Sequence, residues 1–297
     1  MWKKLTSLPI LMVAPVQLLI WFMVIFPTIV LVWLAFCYWT PQTGTTWWHA
    51  EFTWFSNFYN LLFEDRLFIG AILRTILIFV VCISVELIAG MIMAVLFQGT
   101  WFGKKAIVAF LIAPMMVIPL VIGQSFYMLF LADGPVNQII GWLTFSGFRL
   151  DWLSHPIWAM VPIMLGEIWN WTPLVFLIFM SGLTTVPINQ ILAAQGLGAT
   201  PVQIFFRISL PILKPLILLV LVIRGMEIFK IFDLVYVLTR GGPGNATETI
   251  TMYMYNVGIE FMRVSYIAAS AFLILTLVVI GAVRVLKPLQ YQLLEER

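Results

Sequence analysis

Four ionisable side chains stand three residues apart in one largely apolar stretch: Arg224, Glu227, Lys230 and Asp233. On an α-helix that spacing sets neighbours on adjacent parts of one face, near enough to pair. Two more carboxylates, Glu86 and Glu167, interrupt other apolar stretches, the second within Glu167-Ile168-Trp169-Asn170-Trp171-Thr172-Pro173. The chemistry open to this set is ion pairing and hydrogen bonding. Carboxylates and amides bind hydroxyl groups while aromatic rings cover apolar faces, and Phe229, Phe232 and Tyr236 interleave with the charges. Two readings fit. One is an internal ion-pair ladder, Arg224 with Glu227 and Glu227 with Lys230, that serves packing. The other is a polar pathway for a hydroxylated solute, lined by Glu167, Asn170, Glu227, Lys230, Asp233 and Tyr236. Glu86 reads as a structural partner, to Arg74 or to a neighbouring helix.

Other chemistries lack their residues. There is no Gly-x-x-x-x-Gly-Lys-[Ser/Thr] loop, and Gly241-Gly242-Pro243-Gly244-Asn245 has no lysine with which to cradle a nucleotide. The two histidines, His49 and His155, have no cysteine nearby to complete a metal site. Neither a Gly-x-Ser-x-Gly elbow nor a His-Glu-x-x-His motif occurs. The chain therefore reads as a non-enzyme with no catalytic residue, no metal and no cofactor of its own. Cys37 and Cys82 both lie in apolar surroundings and read as packed, reduced thiols.

The elements that position these charges are membrane spans. The chain is 62% hydrophobic and 10% charged, with a mean hydropathy of +1.04 and a net charge of only +3. That composition lies far outside soluble domains and argues against nucleic-acid binding. Apolar runs long enough to cross a bilayer fall near 10–36, 70–97, 106–131, 157–183, 211–233 and 264–286. The fold class is thus an all-α membrane protein of six spans in one domain, 1–297, without an internal repeat. The first span is too long, and begins too late, for a cleaved signal peptide. Lys3, Lys4, Lys104, Lys105, Arg207, Lys214, Arg284, Lys287 and Arg297 flank one side, whereas Arg66, Arg149, Arg240 and Arg263 are spread over longer loops on the other. The positive-inside rule puts both termini and the segment 188–210 in the cytoplasm. Trp39, Trp47, Trp48, Trp54, Trp152 and Trp158 read as an outer interfacial belt.

Segment 188–210 is a polar, glycine-broken island. Thr200 and Gln203 form a Thr-x-x-Gln capping box with Pro201 at the first helical position, which predicts a short helix. Gly196 and Gly198 permit a sharp turn before it, and Pro211 is placed to end the short helix and open the next span. Ala193, Ala194, Gly198, Ala199, Phe205, Phe206, Ile208, Leu210 and Pro211 fall in the register of the cytoplasmic loop by which ABC-importer permeases dock onto their ATPases, and the segment resembles that loop. Leu192 and Leu197 stand where the family commonly carries glutamate and aspartate. A second resemblance lies about forty residues on: Thr239-Arg240-Gly241-Gly242-Pro243, then Ala246-Thr247-Glu248-Thr249, is similar to the element after the fifth conserved span of carbohydrate-type permeases. Phe55-Ser56-Asn57-Phe58-Tyr59 and Asp133-Gly134-Pro135-Val136-Asn137-Gln138 resemble external elements of the same group. For a prokaryotic chain of this kind the sequon at Asn245 is incidental.

The resemblance implies a permease subunit of a type I ABC importer, similar to the maltose-transporter permeases, in the prokaryotic inner membrane. Its partners are then two ATP-binding subunits that carry ATP and Mg, a second permease, an external substrate-binding protein and the lipid bilayer. It implies ATPase docking through Ala193, Ala194, Gly198, Ala199, Thr200, Phe205 and Arg207, and a sugar or polyol as cargo. Two other classes remain compatible with the residues alone: an ion-coupled carrier working through Glu86, Glu167, Glu227 or Asp233, and a membrane scaffold that transports nothing.

Overall fold

The computed structural model describes residues 8–295, and the side chains of residues 12–287. Lys3, Lys4 and Arg297, which entered the orientation argument, lie outside the described residues. The chain divides into two units: Met1–Ile69 with Met254–Val278, and Gly70–Tyr253 with Val279–Arg297.

In the first unit α1 (Leu8–Ala35) is apolar on all faces and leads into a two-residue antiparallel pairing. Cys37 of β1 (Cys37–Tyr38) faces Phe52 of β2 (Glu51–Phe52). Asn57, in the short α2 (Ser56–Tyr59), is buried and donates to the carbonyls of Ala35 (3.1 Å) and Cys37 (2.8 Å), so the end of α1 has a partner where its own ladder stops. Phe36 packs there against Phe52, Phe55, Phe58 and Phe272. Asp65 precedes α3 (Arg66–Leu96) and accepts from the Leu67 and Phe68 amides and from the Tyr266 hydroxyl.

The second unit carries the charges. The third apolar run is not one straight span. It consists of α4 (Lys104–Ile112), a tight turn Ala113–Met116 and α5 (Pro119–Leu129), bent by 94°. Pro114 and Pro119 bracket the bend, and a proline ring can neither donate to the preceding turn nor fit against it. After α6 (Pro135–Leu143) comes α7 (Met160–Leu183), whose buried Asn170 donates to the carbonyls of Pro114 (2.8 Å) and Val117 (3.5 Å). A broken helix at membrane depth is tolerated when a neighbour satisfies the freed groups in this way.

The chain continues through α8 (Ile188–Gly196), α9 (Pro201–Ile204), a π turn Phe205–Ser209 and α10 (Leu210–Ile228). Pro201–Ile228 forms one helical run of 28 residues. Pro211 therefore does not end the short helix. It stands in the first turn of α10, where a missing N–H costs nothing and the π turn eases the entry. The fifth span ends at Ile228, short of the expected 233, and Asp233 begins a separate helix, α11 (Asp233–Leu238). Thr249 donates to the Ile231 carbonyl and Thr251 to that of Phe229, which anchors the exit from α10. Then come α12 (Ile250–Tyr255) and α13 (Val264–Glu295).

Candidate functional site

The docking segment is built by local chemistry. Gly198 adopts φ +81°, the left-handed conformation that glycine reaches without strain, and the backbone turns there between α8 and α9. Leu197 N–H bonds to Ala193 C=O, Gly198 to Gln195 and Ala199 to Ala194, so the two alanines hold the turn through their carbonyls. The capping box forms as the spacing requires. The Gln203 amide donates to the Thr200 hydroxyl (3.3 Å), and the Thr200 amide donates to Gln203 Oε1 (2.9 Å). A β-carbon at position 198 would meet no other atom of the chain within 4 Å, and Arg207 is exposed. Leu197 is 89% exposed, with Leu192 and Val202 also outward. Phe205, half-buried, and Phe206, exposed, pack edge to face at 5.1 Å and, with Val202, line an apolar cavity of about 620 Å³ together with Leu87, Ile88 and Met91 of α3. Phe205 thus faces α3 across this cavity.

The charged set is arranged differently from a ladder along one helix. Arg224 reaches across to two other helices. Its Nε and Nη2 donate to the two Glu86 oxygens (2.8 and 2.9 Å), and Nη2 also donates to Glu167 Oε1 (2.7 Å). All three are buried, Glu86 and Arg224 almost completely, and the Trp171 ring lies 4.5 Å from the guanidinium carbon. This replaces the expected Arg224–Glu227 pair and the alternative of Glu86 with Arg74. The reason is geometric. A planar guanidinium offers a fork that matches one carboxylate bidentately and still reaches a second. Arg74 instead donates to the Glu248 carbonyl (2.8 Å). Removing one member of a buried pair costs about 3–5 kcal/mol, because the other charge is then stranded.

Glu227 does pair with Lys230, at 2.9 Å, but both are exposed and such a pair is worth about 0–1 kcal/mol. These two, with Glu167, Trp171, Phe232 and Asp233, line a polar cavity of about 100 Å³. Four of the six residues read as a pathway therefore meet: Glu167, Glu227, Lys230 and Asp233. Asn170 is separate, engaged at the bend of the third span. Tyr236 lies one turn beyond Phe232 and stacks on it at 5.2 Å. Trp152 does not belong to an interfacial belt. It is buried, and its Nε1 donates to Asn137 Oδ1 (2.9 Å), while the Asn137 amide holds the carbonyls of Ala132 and Leu150. Asn137 is the residue whose role sequence reading missed, although an asparagine inside an external turn was its signal.

The described residues thus form a multi-span helical membrane protein with an exposed helix continuous with a span. Similarity to known proteins gives its class. The family described as "Binding-protein-dependent transport system inner membrane component" matches residues 86–290. The chain is 30% identical over 268 residues to the sulfoquinovosyl glycerol transport system permease protein SmoG of Agrobacterium fabrum, covering 89% of this chain and 84% of that one. It is 31% identical over 201 residues to the trehalose/maltose transport system permease protein MalF of Thermococcus litoralis, covering 67% and 66%. In fold it is similar to a chain of a bacterial ABC transporter involved in the import of the acidic polysaccharide alginate, with a TM-score of 0.79, 20% identity and 96% of each chain covered. This protein belongs to the family of binding-protein-dependent transport system inner membrane components. It is a multi-pass permease of the inner membrane, it works with an external binding protein and a second permease, and ATP hydrolysis belongs to a separate subunit. The ion-coupled and scaffold readings fall with that membership.

Proposed function

We propose that the chain acts as one transmembrane permease domain, forming part of the pathway for a sugar or polyol, with ATP and Mg bound by the partner ATPases. Relatives named for sulfoquinovosyl glycerol and for trehalose and maltose support the solute class. The observation that carries the mechanism is the continuity of Pro201–Ile228. A run of 28 residues spans about 42 Å at 1.5 Å per residue. It joins the docking helix directly to the cavity at Glu227.

Ala193, Ala194, Gly198, Ala199, Thr200 and Arg207 present the docking surface, and Phe205 ties it to the spans. When the ATPases close, the docking helix moves with them, and the continuous run carries the displacement to Glu227, Lys230 and Asp233. Glu167, Asn170 and Tyr236 complete the polar lining as the pathway opens. Alternating access then follows from rigid-body movement rather than from bending within the run.

The test is purification of the chain from its native membrane in mild detergent, with its partners, followed by reconstitution with the binding protein. ATP-dependent uptake of a sugar or polyol supports the proposal. Uptake restricted to amino acids or metal ions overturns the solute class, and uptake that persists without ATP overturns the mechanism.

A further inference from the structure

A third cavity, of about 520 Å³, lies in the same unit, beyond α11. It falls within the range of small-molecule sites. Tyr127 of α5, Ser154, and Thr239, Arg240 and Pro243 beyond α11 contribute to its wall. Nothing in the transport scheme above uses it.

Arg240 is its unusual residue. Its φ is +49°, a conformation that costs a residue with a β-carbon about 1–2 kcal/mol. Gly241 and Gly244, its close neighbours, adopt positive φ as well, but as glycines they do so without that penalty. The turn is held firmly. Arg240 N–H bonds to the Val235 carbonyl (2.9 Å), Thr247 N–H to that of Gly241 (3.1 Å), and the Thr247 hydroxyl donates to the Gly242 carbonyl (2.8 Å). A glycine at position 240 would make the same turn without strain, so the turn itself does not explain an arginine there.

The side chain is positioned rather than trailing into solvent. The guanidinium carbon sits 5.4 Å from the centre of the Tyr236 ring, which is itself stacked on Phe232. A cation over an aromatic face is oriented but not neutralised. Among the described residues Arg240 makes no ion pair, in contrast to Arg74, Arg149 and Arg224. An exposed, oriented guanidinium at a cavity also lined by the hydroxyl-bearing Tyr127, Ser154 and Thr239 suits an oxyanion carried on a hydroxylated ring. The guanidinium fork binds the oxyanion, and Tyr127 and Ser154 have the groups to bond ring hydroxyls.

We propose that Arg240 is the anion-accepting residue of an outer vestibule, and that the cargo is an acidic saccharide bearing a carboxylate, sulfonate or phosphate group. This deepens the sugar reading above and rests on it.

The test uses the complete importer in nanodiscs of zwitterionic lipid, without the binding protein. Direct binding is measured for a glucuronic-acid-containing disaccharide, its neutral glucose counterpart and inorganic sulfate. The wild type is expected to bind the acidic disaccharide about tenfold more tightly than either other probe, which is a difference of about 1.4 kcal/mol. Arg240→Gln should remove that preference and leave neutral binding unchanged, and Arg240→Lys should restore part of it. Equal binding of the two disaccharides by the wild type, or an undiminished preference in Arg240→Gln, overturns the proposal. Loss of affinity for the binding protein with the preference intact does so too, since Arg240 then serves docking. Arg240-dependent binding of sulfate with no binding of either disaccharide would keep the anion site and overturn the sugar reading beneath it.

Discussion

At its cytoplasmic end the helical run Pro201–Ile228 is set by residues that are neighbours in the chain, and at its membrane end by residues far apart in it. Thr200 and Gln203 cap the one end across three residues. Arg224 secures the other through Glu86 and Glu167, 138 and 57 residues away. The first end is exposed, while the second is buried and paired with two carboxylates, with Arg224 Nη1 left without an acceptor. The mechanism proposed above needs both: a surface preformed before the partner arrives, and a fixed connection to the spans that move with it.

The sharpest way to break this contrast is at the buried end. Arg224→Met strands two carboxylates and should cost about 3–5 kcal/mol, read as a collapse in folded, detergent-stable protein. Replacing Glu86, Glu167 and Arg224 together by apolar residues should recover most of that loss. If Arg224→Met alone were as stable as the parent, the triad would not be the connection described here.

At the exposed end the effects should appear in partner binding and not in folding. Gly198→Asp should leave the chain inserted and folded but abolish retention of the ATPase on an affinity column. No atom of its own chain lies in the way, so the change acts through the strained turn and the docked surface. Leu197→Glu is next. Leu197 is exposed on a polar loop, and burying a leucine contributes about 1.5–3 kcal/mol, so ATPase affinity should fall by about tenfold or more. An unchanged affinity would place Leu197 outside the docked surface. Thr200→Ala should be mildest. Loss of an N-cap costs about 1 kcal/mol, which should appear as a several-fold weaker ATPase affinity with normal thermal stability of the spans.

Much of the docking segment was legible beforehand because its determinants are local. The turn at Gly198, the capping box and the exposure of the loop all follow from residues within a few positions of one another. The spans were legible for a similar reason, since length and apolarity are properties of a single stretch. Their interruptions were less so. Pro114 and Pro119 signalled the bend in the third span, but whether a proline merely kinks a helix or breaks it by 94° depends on a neighbour to satisfy the freed carbonyls, and that neighbour, Asn170, lies in another span. Asn170 had been read as a pathway group within the polar stretch 167–173, and nothing local to that stretch showed that it also holds the bend. Trp152 was likewise assigned to an interface by composition, until the buried Asn137 claimed its indole N–H.

By itself the sequence determined that this is a membrane permease with a cytoplasmic docking helix. Hydropathy, the placement of lysine and arginine, and short-range capping depend on chain neighbours and on the solvent each stretch must face. Tertiary structure alone decided which charges pair. Arg224, Glu227, Lys230 and Asp233 are equally spaced in the chain, and their spacing permits a ladder. In a medium without water, however, a guanidinium goes to the acceptors that best satisfy it, and these were brought to Arg224 by the packing of two other helices.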